Sequence, residues 1–168
     1  MLDAARSFAL NAHGGQKYGD RPYAFHLEAV VSLLSSYGSE AQVIGYLHDV
    51  VEDTEVTEDD IRRLFGPRIA ECVSLLTDSP GASRAERKAA TYARLATVGG
   101  HAELALVVKA ADRLANVRSC VADQKHGLWE VYRQEHPGFR RAAYRVCLCE
   151  PLWVELDALL ETSSGDAV

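Results

Sequence analysis

Several features are missing from this chain, and each absence removes a class of function. No apolar run approaches the roughly 20 residues that a membrane-spanning helix needs, so no membrane partner is expected. The N-terminus, Met1-Leu2-Asp3, lacks the charged-then-apolar pattern of a secretory leader, and the expected location is the cytoplasm. No stretch alternates convincingly with the period of a strand, which argues against a sheet protein. There is no internal repeat and no low-complexity tract. Positive charge is in deficit: 18 Lys and Arg against 24 Asp and Glu give a formal net charge of −6, so the surface as a whole does not suit a nucleic-acid polymer. A phosphate-bearing ligand would need a local basic pocket or a metal. Cysteines are few, and Cys72, Cys120, Cys147 and Cys149 show no paired zinc-type spacing. Cys72 and the Cys147-Leu148-Cys149 pair sit in apolar stretches and read as buried thiols in a reducing compartment.

What is present suits one helical domain. The 168 residues are 48% hydrophobic and 25% charged, enough to bury a core. Asp3 can cap a first helix that ends near His13-Gly14-Gly15. Residues 14–25 read as a polar loop with Gly14, Gly15, Gly19 and Pro22, all turn formers. A second helix is expected from His26 to Tyr37, and Ser39 can cap a third. Thr57-x-x-Asp60 resembles a capping box, and Gly66-Pro67 separates that short helix from one reaching Leu76. Ser83-x-x-Glu86 is a fuller box, opening a helix to about Val98. A long helix over 102–122, a shorter one around Gly127–Arg133, and a last one from Pro137 to Leu160, kinked near Pro151, complete the pattern. Residues 162–168 read as a disordered tail. The expected fold is all-α, a single domain over 1–161.

The densest chemistry lies in His48-Asp49-Val50-Val51-Glu52-Asp53. At about 100° per residue, His48, Asp49 and Glu52 share one arc while Val43, Leu47, Val50 and Val51 share the other. The segment reads as a core helix with an acidic rim. Like charges three or four residues apart destabilise a helix, and a divalent cation would remove that penalty; the plain alternative is a solvated acidic helix end. In the long helix, Lys109, Asp112 and Asn116 form a stripe beside the apolar face, a pattern most often seen in simple helix salt bridges. His26 stands where the second helix begins. His13, His101, His126 and His136 read as surface or turn residues.

Together these pieces resemble the HD phosphohydrolase superfamily, whose ligand order is His, His-Asp, then a distant Asp. The closer resemblance is to the hydrolase domain of Rel/SpoT-type alarmone enzymes and to the small alarmone hydrolases. It is carried by His13-Gly14-Gly15-Gln16-Lys17 with Pro22-Tyr23-Ala24-Phe25-His26, by His48 to Thr54, by Glu86-Arg87-Lys88, and by the run from Lys109 to Arg118. It covers residues 1 to about 120 and implies an HD-type helical bundle. Position by position, it implies that His26, His48, Asp49 and Asp112 ligate a divalent metal, usually manganese in that family. Glu52 and Asp53 would orient or deprotonate the attacking water. Lys17, Arg21, Arg87 and Lys88 would meet the charge of a nucleotide substrate, and Asn116 would hold its sugar or a nearby group. The implied reaction removes the 3′-pyrophosphate from guanosine tetra- or pentaphosphate, giving GDP or GTP. No segment resembling the family's synthetase part is seen, so only removal is expected.

The chain departs from the long Rel-type pattern at Lys17-Tyr18, at Leu27, at Ala115, and in a first-motif loop one residue shorter. These departures leave the choice of base, guanine or adenine, open. Two other readings stand beside the leading one: an HD-type nucleotide phosphatase acting on another 3′-phosphorylated nucleotide, and a non-catalytic regulatory module. A homo-oligomer is compatible with the sequence.

Overall fold

The computed structural model describes residues 1–161 of the chain; the tail expected at 162–168 lies outside the described residues. Helices α1 (Leu2–His13), α2 (Ala24–Leu33), α3 (Ser39–Leu47), α4 (Val50–Asp53), α5 (Glu58–Phe65), α6 (Pro67–Leu76), α7 (Arg84–Ala96), α8 (Glu103–Ala122), α9 (His126–Ala143) and α10 (Glu150–Glu161) follow one another. Short 3₁₀ turns stand at Ser35–Tyr37 and Gly100–Ala102. The all-α expectation holds, with one small exception. Strands β1 (Lys17–Tyr18) and β2 (Arg21–Pro22) pair antiparallel inside the loop expected at 14–25. Two-residue strands are too short to show alternation, so the pattern could not announce them.

The long helix α8 forms the axis of the molecule, with most of its residues buried. Leu106, Val108, Ala111, Leu114 and Val117 are fully buried, on faces that meet α2, α3, α6, α9 and α10. No helix among the described residues is long and apolar enough to cross a membrane. The local stop and start signals mostly act as expected. Thr57 and Asp60 form a complete capping box on α5, and Pro67 occupies the first turn of α6, where its missing N–H costs nothing. Ser83 accepts the Glu86 N–H at 3.2 Å, but the Glu86 carboxylate takes the N–H of Ala82 at 2.9 Å, so only half the box forms.

Three boundaries differ from the sequence pattern. Pro137 does not divide two helices; α9 runs through it. Trp129, Phe139, Ala142 and Ala143 bury the helix on both sides of the proline, and that packing outweighs one lost helical bond. The chain breaks instead after Ala143, where Cys147 takes a positive φ of 64°, and Pro151 stands in the first turn of α10. Ser39 makes no side-chain cap, since Gly38 with φ 89° turns the chain into α3. The acidic motif is not one continuous helix. α3 ends at Leu47, Asp49 bends the chain at φ −104° and ψ −6°, and α4 restarts at Val50.

Gly45 fixes how closely α3 lies on α2. A Cβ there would stand 2.6 Å from Leu34 Cδ1 and 3.3 Å from Val31 Cγ2, and Leu34 is fully buried. Gly45→Val should therefore destabilise the protein by about 2 kcal/mol through overpacking, which outweighs the few tenths of a kcal/mol that Val gains over Gly in helix propensity. Thermal unfolding checks this; an unchanged melting temperature would show that the α2–α3 contact yields.

Candidate metal centre

The bend in the acidic motif has a chemical consequence. His48 closes α3 and donates Nδ1–H to the carbonyl of Gly45 at 2.7 Å. That bond fixes the ring and leaves Nε2 as the free nitrogen. The turn at Asp49 brings its Oδ2 to 2.9 Å from His48 Nε2. From α2, His26 presents its own Nε2 at 3.3 Å from that of His48 and 3.6 Å from Asp49 Oδ2. From α8, Asp112 Oδ1 stands 3.3 Å from His26 Nε2 and 3.6 Å from His48 Nε2. Four donors from three elements thus face one another, separated by 22, 1 and 63 residues along the chain. Both imidazoles are buried.

The donor set fits a divalent cation. Bonds of about 2.0–2.2 Å place neighbouring donors about 3 Å apart in octahedral and about 3.5 Å apart in tetrahedral coordination. The spacings here run from 2.9 to 3.6 Å. The donors of His26, His48 and Asp49 form the cluster capable of holding an ion among the described residues, and Asp112 adjoins both histidines. Two imidazoles and two carboxylates suit a borderline divalent ion.

The electrostatics show groups held charged against their burial. Burial alone would lower the pKa of His48, but the Asp49 and Asp112 carboxylates raise it well above the usual histidine value. His26 moves in the same direction: hydrogen bonds to Asp112 and Asp49 overcome its burial. Burial likewise opposes ionisation of Asp49 and Asp112, yet the two imidazoles, joined at Asp112 by Lys109, hold both well below the ordinary carboxylate range. Lys109 is buried beneath the site, with Nζ 3.6 Å from Asp112 Oδ2 and donating to the carbonyl of Leu76 at 3.0 Å.

A second layer orients the donors. The Tyr23 hydroxyl lies 2.5 Å from Asp49 Oδ2 and 3.0 Å from Asp53 Oδ2, and its proton serves those two carboxylates. Asn116 donates to Asp112 Oδ1 at 2.7 Å and accepts from the Tyr18 hydroxyl at 2.7 Å. Tyr18 also stacks on His26, with ring centroids 4.7 Å apart. Tyr23 and Tyr18 were not assigned roles by sequence. Tyr23 lies within the first motif, three residues before His26 and so one turn of helix away, and these two signals could have marked it.

The remaining expected residues divide. Glu52 accepts the N–H of Asp78 at 2.9 Å, and partial burial raises its pKa above the usual glutamate value. Lys17 is exposed and Arg87 half-buried, and neither has an ion-pair partner among the described residues. Arg21 is committed elsewhere: it grips Asp123 through two bonds of 2.6 and 3.1 Å and lies over Phe25. Lys88 pairs with Asp78 at 2.7 Å. Asn116 engages Asp112 and Tyr18 rather than open solvent.

Comparison with known proteins decides the family. Residues 5–137 match the model described as HD domain. This chain belongs to the HD-domain family. Within it, the HD domain described here is 33% identical over 165 residues to a probable guanosine-3′,5′-bis(diphosphate) 3′-pyrophosphohydrolase of Synechocystis, covering 95% of this chain and 22% of that protein. It is 31% identical over 137 residues to a protein of the same name, without the "probable", in Aquifex aeolicus, covering 80% of this chain and 18% of that one. The chain thus spans about a fifth of the length of these curated relatives. Among solved structures, it superposes with a TM-score of 0.75 on a metazoan SpoT ortholog described as hydrolysing ppGpp, at 23% identity, covering 94% of this chain and 92% of that one. That likeness establishes the helical HD fold.

If the Tyr23 hydroxyl orients Asp49, Tyr23→Phe should weaken manganese affinity roughly tenfold, the usual scale for a lost outer partner of a metal ligand. Isothermal titration with manganese measures this; an unaltered dissociation constant would show the hydroxyl to be idle.

Proposed function

We propose that this HD domain, taken as one unit over residues 1–161, hydrolyses the 3′-pyrophosphate of guanosine tetra- or pentaphosphate to GDP or GTP plus pyrophosphate, in the cytoplasm. The observation that carries this reading is the convergence of His26, His48, Asp49 and Asp112 beside Glu52, in a chain whose relatives bear the pyrophosphohydrolase name. His26, His48, Asp49 and Asp112 would hold manganese. A divalent cation bound there supplies Lewis-acid polarisation of the phosphoryl group and acidifies water.

The chain's own residues supply the rest. Water forms a bond to the phosphorus that carries the ribose 3′-oxygen, the P–O3′ bond breaks, the 3′-oxygen takes a proton, and pyrophosphate leaves. Glu52 accepts the proton of the attacking water. It suits the task because it is anchored by the Asp78 N–H through Oε2 alone, and because its raised pKa brings it closer to the working range of a general base. Asp53, sharing the Tyr23 proton with Asp49, orients the water and keeps the acidic turn in register. Lys17 and Arg87 meet the nucleotide's other phosphates. A protein of net charge −6 would otherwise repel so anionic a ligand. Asn116, through its bond to Asp112, holds the sugar side of the site.

Glu52→Gln preserves the acceptor for the Asp78 N–H and removes the base. It should retain manganese and lose about 10²-fold or more in turnover. Rates on guanosine tetraphosphate, with products identified by mass, test both parts of the reading. Pyrophosphate release by the wild type and its near loss in the variant are expected. Orthophosphate as the product would favour a nucleotide phosphatase, and unchanged turnover would remove Glu52 from the mechanism.

A further inference from the structure

The end of α6 and the start of the loop that follows it are held at every residue from 76 to 79. Lys109 Nζ donates to the carbonyl of Leu76 at 3.0 Å, and Arg94 donates to that of Thr77 at 2.6 Å. The carboxylate of Asp78 receives Lys88 Nζ at 2.7 Å on one oxygen and the Thr91 hydroxyl at 3.3 Å on the other. The N–H of Ser79 donates to that same Thr91 oxygen at 3.0 Å. These partners are not surface accidents. The Lys88 and Asp78 side chains are 15% and 9% exposed, and Thr91 is fully buried. Within this clamped stretch the N–H of Asp78 meets Glu52 Oε2 at 2.9 Å.

An exposed ion pair contributes little to stability, but a largely dehydrated one fixes geometry. Here the geometry fixed is that of a peptide N–H bonded to a carboxylate near the metal-ligand cluster. Lys88 also neutralises Asp78, whose negative charge would otherwise repel Glu52 across the same short span.

We propose that Lys88 is a positioning residue for Glu52: by anchoring the Asp78 carboxylate from α7, it sets the backbone N–H that holds the Glu52 side chain in place. The proposal rests on the reading of Glu52 as the base. It gives Lys88 a different task from the phosphate contact that its place in Glu86-Arg87-Lys88 implies, and leaves Arg87 as the cation of that segment free for substrate.

The test is a mutant cycle with manganese-saturated protein and guanosine tetraphosphate. Lys88→Met should lower kcat about tenfold with KM nearly unchanged, as expected for a misplaced reacting group. Lys88→Arg should restore most of the loss. In a Glu52→Gln background, Lys88→Met should have almost no further effect. A raised KM with intact kcat would make Lys88 a substrate ligand and overturn the proposal, as would an equal loss in both backgrounds. Thr91→Val, which removes the second anchor of Asp78 together with the acceptor of the Ser79 N–H, serves if Lys88→Met fails to fold, and should show the same dependence on Glu52.

A readout independent of turnover separates this proposal from the functional one. The amide proton resonance of Asp78 should move in Lys88→Met towards its position in Glu52→Ala. No movement would overturn the positioning role whatever the substrate proves to be. A wild-type protein that releases no pyrophosphate would overturn the functional reading alone.

Discussion

The structure depends on one costly act, the burial of two carboxylates against two imidazoles. An ionised group in a protein interior is tolerated only when paired and hydrogen-bonded, and removing one partner of such a set typically costs about 3–5 kcal/mol. Each imidazole of His26 and His48 pairs with the carboxylates of Asp49 and Asp112 at 2.9–3.6 Å, the four arriving from α2, the α3–α4 turn and α8. Much else follows from keeping them together. Gly45 admits α3 close to α2 and lends its carbonyl to His48. The bend at Asp49 ends α3 where a longer helix would have carried the carboxylate away. Lys109 offsets the acidic charge from below.

Peripheral elements serve the same centre. The β1–β2 hairpin is tied to the end of α8 by Arg21 and Asp123. That tie holds Tyr18 over His26 and within reach of Asn116. On the opposite side, α7 reaches Glu52 through the Asp78 loop. Further along α7 and α9, Arg84 and Arg113 share the carboxylate of Glu135, and Arg113 lies over Tyr132 and Phe139. These charged links join α7, α8 and α9.

The sequence shows its helices wherever local chemistry dictates them. The capping box at Thr57 and Asp60, Pro67 at a helix start, and the apolar face of α8 are all local signals, and each acts as expected. Pro137 misleads because its cost is local while the burial of Phe139 and Ala142 that overrides it is not. The break at His48-Asp49 was hidden for the same reason. Helical periodicity continues through the motif, while the contacts that Asp49 makes at the bend, with His26 and Tyr23, are tertiary. Among the site residues, the four that converge were read together only through the order they share with the HD family; taken singly, His26 looks like a helix-start residue and Asp112 like half of a helix salt bridge. The partners of Arg21 and Lys88 were not legible, because a lone basic residue carries no mark of whether it will meet Asp123, Asp78 or a phosphate. Tyr18 and Tyr23 stand in the first-motif region, but nothing local says that their hydroxyls meet Asn116, Asp49 and Asp53.

The claim on which all of this stands is that these four side chains grip a single divalent ion. Titration of the metal-free protein with manganese, following free ion by its paramagnetic resonance, tests it directly. The account predicts one tightly bound manganese per chain in the wild type and its loss in Asp112→Ala, whose fold is checked by circular dichroism. Equal uptake by a folded Asp112→Ala, or no uptake by the wild type, would contradict it.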